Sequence, residues 1–111
     1  MAQPIKADLK CYRGQTFRQN IYFKRGGVPI DLTGVTAKAQ IRPSENSNIL
    51  TAEFECAVEG ERGRITLILS ADKTAGIKAG TYLYDLKVTD GEGIVGYWVK
   101  GKFAVNGRVT V

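Results

Sequence analysis

The chain has no histidine, one methionine, one tryptophan, three prolines and two cysteines in 111 residues. Without histidine it lacks the commonest general base and the usual serine or cysteine triads. Two cysteines without histidine leave no soft-ligand cluster for a structural zinc ion, so no metal and no cofactor are expected. Cys11 and Cys56 allow one intrachain pairing, which a domain of this size does not need. Cys56 falls in phase with apolar neighbours and is expected as a small buried thiol. No apolar run approaches the ~18 residues of a membrane-spanning helix. The opening Met1-Ala2-Gln3-Pro4-Ile5-Lys6 lacks the basic start and apolar stretch of a secretory signal. Synthesis in the cytoplasm and no membrane partner are the expectations.

What is present is a period of two. Val35, Ala37, Ala39 and Ile41 alternate with Thr36, Lys38, Gln40 and Arg42, the pattern of a half-buried strand. Leu50, Ala52, Phe54, Cys56 and Val58 repeat it, as do Ile65, Leu67 and Leu69, then Tyr82, Tyr84, Leu86 and Val88. Phe17, Ile21 and Phe23 share an earlier phase. Val95, Tyr97, Val99, Phe103 and Val105 share the last, with Gly101 as an expected bend. Gly26-Gly27, Gly60 to Gly63, Asp90-Gly91-Glu92-Gly93 and Asn106-Gly107 separate these runs, and Asn106-Gly107 carries the strongest hairpin signal. Pro43 to Asn48 reads as a polar loop. Ser70 is placed to cap a single helical turn ending at Gly76. Seven to eight short strands with at most one helical turn predict an all-β fold. The expected form is an antiparallel β-sandwich, Ig-like or jelly-roll-like. Residues 1–111 read as one domain, with 1–15 as an N-terminal arm or edge strand.

Charge is unevenly spread along the chain. Residues 1–27 carry Lys6, Lys10, Arg13, Arg18, Lys24 and Arg25 against Asp8, which is the whole net charge of +5. Residues 28–111 balance ten basic against ten acidic residues. The six N-terminal cations are therefore candidate docking residues for an acidic surface. Glu53 and Glu55, two apart on one strand, share a face and form a candidate acidic contact face.

Motifs that resemble chemistry dissolve on inspection. Gly91-Glu92-Gly93-Ile94-Val95-Gly96 matches the letters of a dinucleotide-binding loop, but a β-run follows where a helix is required. It reads as a hairpin turn. Nucleic-acid binding would need exposed aromatics beside aligned cations. Phe17 and Phe23 fall in the core phase, the cations occupy both phases, and only Tyr12 and Tyr22 are left for the surface. Tyr82, Tyr84 and Trp98 suggest a sugar site, yet alternate aromatics in a sandwich are usually core. Tyr97 and Trp98 point to opposite faces, so one is expected at the surface as an interface anchor. Protein binding without catalysis is the expectation, with no small-molecule substrate and nucleic acid disfavoured.

One block goes beyond composition. Gly27-Val28-Pro29-Ile30-Asp31-Leu32-Thr33-Gly34 with Ala39-Gln40-Ile41-Arg42-Pro43 resembles the first half of small β-sandwich virion proteins of tailed phages. Gly63-Arg64-Ile65-Thr66-Leu67, Ile77 to Leu86 and Val99 to Val105 resemble their second half. Within that group the chain is most similar to capsid decoration, or stapling, proteins of short-tailed enterobacterial phages. The resemblance implies a place on the outer capsid surface of the virion and the major capsid protein as partner. It also implies a homo-oligomer such as a dimer, and stabilisation of the shell by bridging neighbouring subunits. Tail, baseplate and fibre adaptor domains share the likeness but normally continue into longer chains, so decoration is the expectation.

Overall fold

The alternating segments form ten strands in the computed structural model, which describes residues 4–111. They are β1 (Ile5–Lys6), β2 (Leu9–Tyr12), β3 (Phe17–Tyr22), β4 (Lys24–Arg25), β5 (Val28–Pro29), β6 (Thr36–Arg42), β7 (Ala52–Glu59), β8 (Arg64–Leu69), β9 (Gly80–Thr89) and β10 (Val95–Asn106). Eight of them make one curled sheet in the order β1-β10-β9-β6-β7-β8-β3, with β2 also on β10, while β4 and β5 form a small separate hairpin. The result is an all-β, sandwich-like fold. Its curl is set by β7. Ala52 to Phe54 pair with β6, then Glu55 to Glu59 pair with β8, so one strand turns the corner between two packed faces.

The core lies between those faces. Phe17, Phe54 and Phe103 meet edge-on or tilted at 5.3–5.8 Å, and Tyr84 closes on Phe54 at 6.0 Å. Such pairs gain about 0.5–1.5 kcal/mol beyond their buried area. Because Phe17 sits on β3 and Phe103 on β10, this cluster joins the two ends of the strand path. Ala39 lies opposite Phe54, a small residue making room for a large one. The five-residue helix α1 (Ala71–Ala75) forms as its cap predicts, with the Ser70 hydroxyl accepting from the Lys73 amide. It docks through buried Thr74, whose hydroxyl donates to the Gln15 carbonyl at 2.7 Å. Gly26 and Gly27 both adopt positive φ, as the two-residue turn between β4 and β5 demands.

The structure corrects the sequence reading at several points. The sheet is not wholly antiparallel, because β1 and β2 pair parallel to β10. β9 takes one side of β10 as its hairpin partner, and the N-terminal segment adds to the other side. Described from residue 4 onward, that segment is an edge strand (residues 1–3 lie outside the described residues). It breaks at Asp8, whose carboxylate accepts from the Lys102 amide at 3.0 Å in place of a backbone carbonyl. The expected bend at Gly101 lies instead at Trp98, where the β9–β10 register shifts. Gly101 stays in register for another reason: a Cβ there would fall inside the Ala7 carbonyl. The Trp98 bulge also swaps faces, so Val95 and Tyr97 are exposed while Val99, Phe103 and Val105 are buried. Asn106-Gly107 makes no hairpin, since both sides of β10 are already occupied and β10 ends at Asn106. Leu50 precedes β7 and is exposed.

Candidate functional site

Cross-strand register places side chains on the outer face of the sheet in rows. Lys6, Lys100, Asp85 and Gln40 form one row across β1, β10, β9 and β6, which Glu53 extends on β7. Lys102, Leu83 and Arg42 form the next row, and Tyr97, Lys87 and Lys38 the row on the other side. Residues in register on one face are direct neighbours. Together these rows enclose a groove of about 530 Å³. Its lining holds six cations, Lys6, Lys38, Arg42, Lys87, Lys100 and Lys102, against two acids, Asp85 and Glu45.

That arrangement carries an electrostatic cost. Like charges about 7 Å apart repel by roughly 0.6 kcal/mol in water, and by more against a low-dielectric surface. Among the described residues, salt bridges involve only Glu59 with Arg62 and Arg64, so none of the six groove cations is in an ion pair. Arg42 is nevertheless held in place. Its guanidinium donates to Gln40 Oε1 at 2.9 Å and to the Ser47 carbonyl at 3.3 Å, while Gln40 Nε2 donates to Glu53 Oε1 at 2.9 Å. Asp85, half-buried at the centre, has its carboxyl raised above the ordinary range by desolvation, with Arg42 and Lys87 pulling the other way. The groove can therefore attract and orient an anionic partner. No group of three or more His, Cys, Asp or Glu side chains is placed to hold a metal ion among the described residues. No helix there is long and apolar enough to cross a membrane.

The six N-terminal cations are not brought together. Lys6 enters the groove and Lys10 follows on β2, opposite Ala104. Arg13 is committed internally, its Nη2 donating to the Ala75 carbonyl at 2.8 Å and tying the N-terminal segment to α1. Arg18 lies on β3 in a row with Ile68 and Glu55, on the other side of the β7 corner. Lys24 and Arg25 are exposed on the small hairpin. Glu53 and Glu55 likewise part company: Glu53 bonds to Gln40 beside the groove, while Glu55 faces the β8 side.

The remaining groups serve the fold. Cys11 and Cys56 are both free thiols, and burial pushes Cys56 up to about 11. Tyr12 and Tyr22 are exposed. Tyr97 is also exposed, whereas Trp98 packs edge-on against Phe23 at 5.1 Å. Asp31 accepts from the Thr33 amide and hydroxyl at 3.0 and 2.6 Å, which lowers its carboxyl below the usual range. The second half of the Gly27–Gly34 block, after strand β5, is thus a built turn.

No protein-family model matches the chain, and no curated protein matches it in sequence. Solved structures do match in fold. CopC from Methylosinus trichosporium OB3b is 14% identical over 95% of this chain and 89% of its own, with a TM-score of 0.55. The GspB Siglec domain is 14% identical over 94% of this chain, with a TM-score of 0.56. The match spans 56% of that second chain. At this identity the likeness is one of fold alone.

Proposed function

We propose that this protein is a structural component of a tailed-phage virion. In this reading it decorates the outer capsid surface and stabilises the shell by bridging neighbouring major capsid protein subunits. The observation that carries the reading is the groove: one sheet face holds six cations against two acids, and none of the six is in an ion pair among the described residues. Such a face suits electrostatic docking better than turnover. Around the β7 corner the second face has a different character, with Arg18, Asn20, Glu55 and the Glu59–Arg64 pair. Edge strand β3 pairs there with β8 alone among the described residues. One body with two unlike surfaces can hold two subunits, and weak contacts repeated over a lattice add by avidity. The family likeness of the turn and strand blocks supplies the particle.

The test is to prepare particles with and without the protein and heat them while following genome release. Particles lacking it should open several degrees lower and recover when purified protein is added back. Equal thermal stability would overturn the proposal. A few copies at one vertex in a particle map, in place of many over the head, would reassign the chain to the tail.

A further inference from the structure

We infer that the groove on the β1-β10-β9-β6 face takes an extended, acidic polypeptide segment that sets a neutral hydrogen-bonding residue over Asp85. This rests on the docking role proposed above and names the surface and the chemistry of its occupant. The geometry begins with Asp85. Its neighbours on the same face are Lys87 along β9, Lys100 across on β10, Lys102 and Arg42 on one diagonal, and Lys38 on the other. Five cations around one carboxylate leave most of the positive charge unmatched, and no ion pair among the described residues consumes it. Four strands at about 4.8 Å spacing give a span near 15 Å, which about five extended residues cover.

Three features favour a polypeptide over a nucleic acid. A polyphosphate backbone has negative charge at every step and would set one phosphate against Asp85, whereas a peptide can place serine, threonine or an amide there. The floor also includes Leu83 and the exposed ring of Tyr97, which suit an apolar side chain between carboxylates. Tyr97 is moreover the single exposed aromatic in the groove, too few for stacking successive bases. Five of the six cations are lysines, point charges without the planar fork that Arg brings to phosphate.

The test uses the purified full chain and a fluorescein-labelled nonapeptide of glutamates around a central threonine. Fluorescence anisotropy at low salt should show binding that weakens steeply with added salt. The variant K87Q/K100Q should weaken it at least tenfold. K73Q/K78Q removes the same charge from exposed lysines elsewhere and should change it less than twofold. Asp85→Asn should tighten binding about threefold or more. Unchanged affinity in K87Q/K100Q, or weaker binding in Asp85→Asn, would overturn the inference. Tighter binding of a nine-nucleotide single strand than of the peptide would transfer the groove to nucleic acid. A dimer in sedimentation that dissociates in K87Q/K100Q would assign the groove to a second copy. Because the assay needs no particle, peptide binding can fail while particles are still stabilised. The reverse outcome, binding intact with particles unaffected, removes the virion role and leaves the groove.

Discussion

Tyr84→Phe removes one oxygen from a buried cross-link between strands, and its effect can be worked out at two pH values. Tyr84 is 4% exposed, and its hydroxyl donates to the Ala7 carbonyl at 2.5 Å, linking β9 under β10 to the N-terminal edge strand. Deleting the donor leaves the half-buried Ala7 carbonyl without this partner, a loss of about 1–3 kcal/mol. With roughly 2.1 cal/mol/K of unfolding entropy per residue, that lowers Tm by about 4–13 °C for a chain of this length. Burial also pushes the Tyr84 phenol up to about 12, from an ordinary value near 10. Between those values the unfolded chain has released the proton and the folded chain retains it. The folded state then binds more protons, so wild-type stability falls as pH rises through this window. The loss reaches about 2 kcal/mol at its upper end, and the phenylalanine variant escapes it. The gap between the two proteins should therefore be large at pH 7.5 and close toward zero by pH 11.5. Urea unfolding followed through Trp98, packed on Phe23, measures both gaps; the exposed tyrosines and Cys56 contribute equally to each protein. No gap at pH 7.5, or a gap as wide at pH 11.5, would refute the reasoning.

Two more predictions bear on the same strands. Gly101→Ala drives a methyl group into the Ala7 carbonyl, so the edge strand must lift from β10 at a cost of about 1–3 kcal/mol. Hydrogen exchange should speed up at Ala7 and Lys102, whose amides bond to the Lys100 carbonyl and the Asp8 carboxylate; unchanged protection there would contradict the close approach. Cys56, pushed up to about 11, holds about three thiolates per ten thousand at pH 7.5, against roughly one in ten for a free cysteine. It should react with iodoacetamide about two orders of magnitude more slowly than free cysteine until urea is added, and fast native labelling would show the thiol to be open.

The fold was legible wherever a residue's fate depends on its own strand. Ala37, Ala39 and Ile41 turn inward as their alternation requires, Ser70 caps α1, and Asp90 closes the β9–β10 turn by accepting from the Glu92 and Ile94 amides. Legibility ended where a neighbouring strand decides. Nothing within Leu9–Tyr12 announces a parallel partner, because that pairing joins residues more than ninety positions apart. Asn106-Gly107 has the local chemistry of a hairpin, but the fold has no free side of β10 to receive a returning strand. Gly101 reads as a bend because a glycine interrupts a strand. Its real constraint is the carbonyl that crosses it.

The groove escaped the charge count for a related reason. A balance of ten against ten over residues 28–111 says nothing about separation. Yet five of those ten cations share one face with only two of the acids. Part of the signal lay in the sequence. Lys38 and Arg42, Lys87, and Lys100 and Lys102 each sit in the solvent phase of their own strand, and the Asp90–Gly93 turn puts β9 beside β10. The missing step was the β6–β9 pairing, which sets Lys38 against Lys87 and Arg42 against Leu83. The bulge then completes the surface. A strand with unbroken alternation from Val95 to Val105 would bury Tyr97 and expose Trp98. One inserted residue reverses both, sending the indole onto Phe23 and the phenol out beside Lys87. The aromatic of the groove and the plug at that end of the core thus have a single cause. Deleting Trp98 to restore the alternation should cost the protein its core contact and its docking ring together.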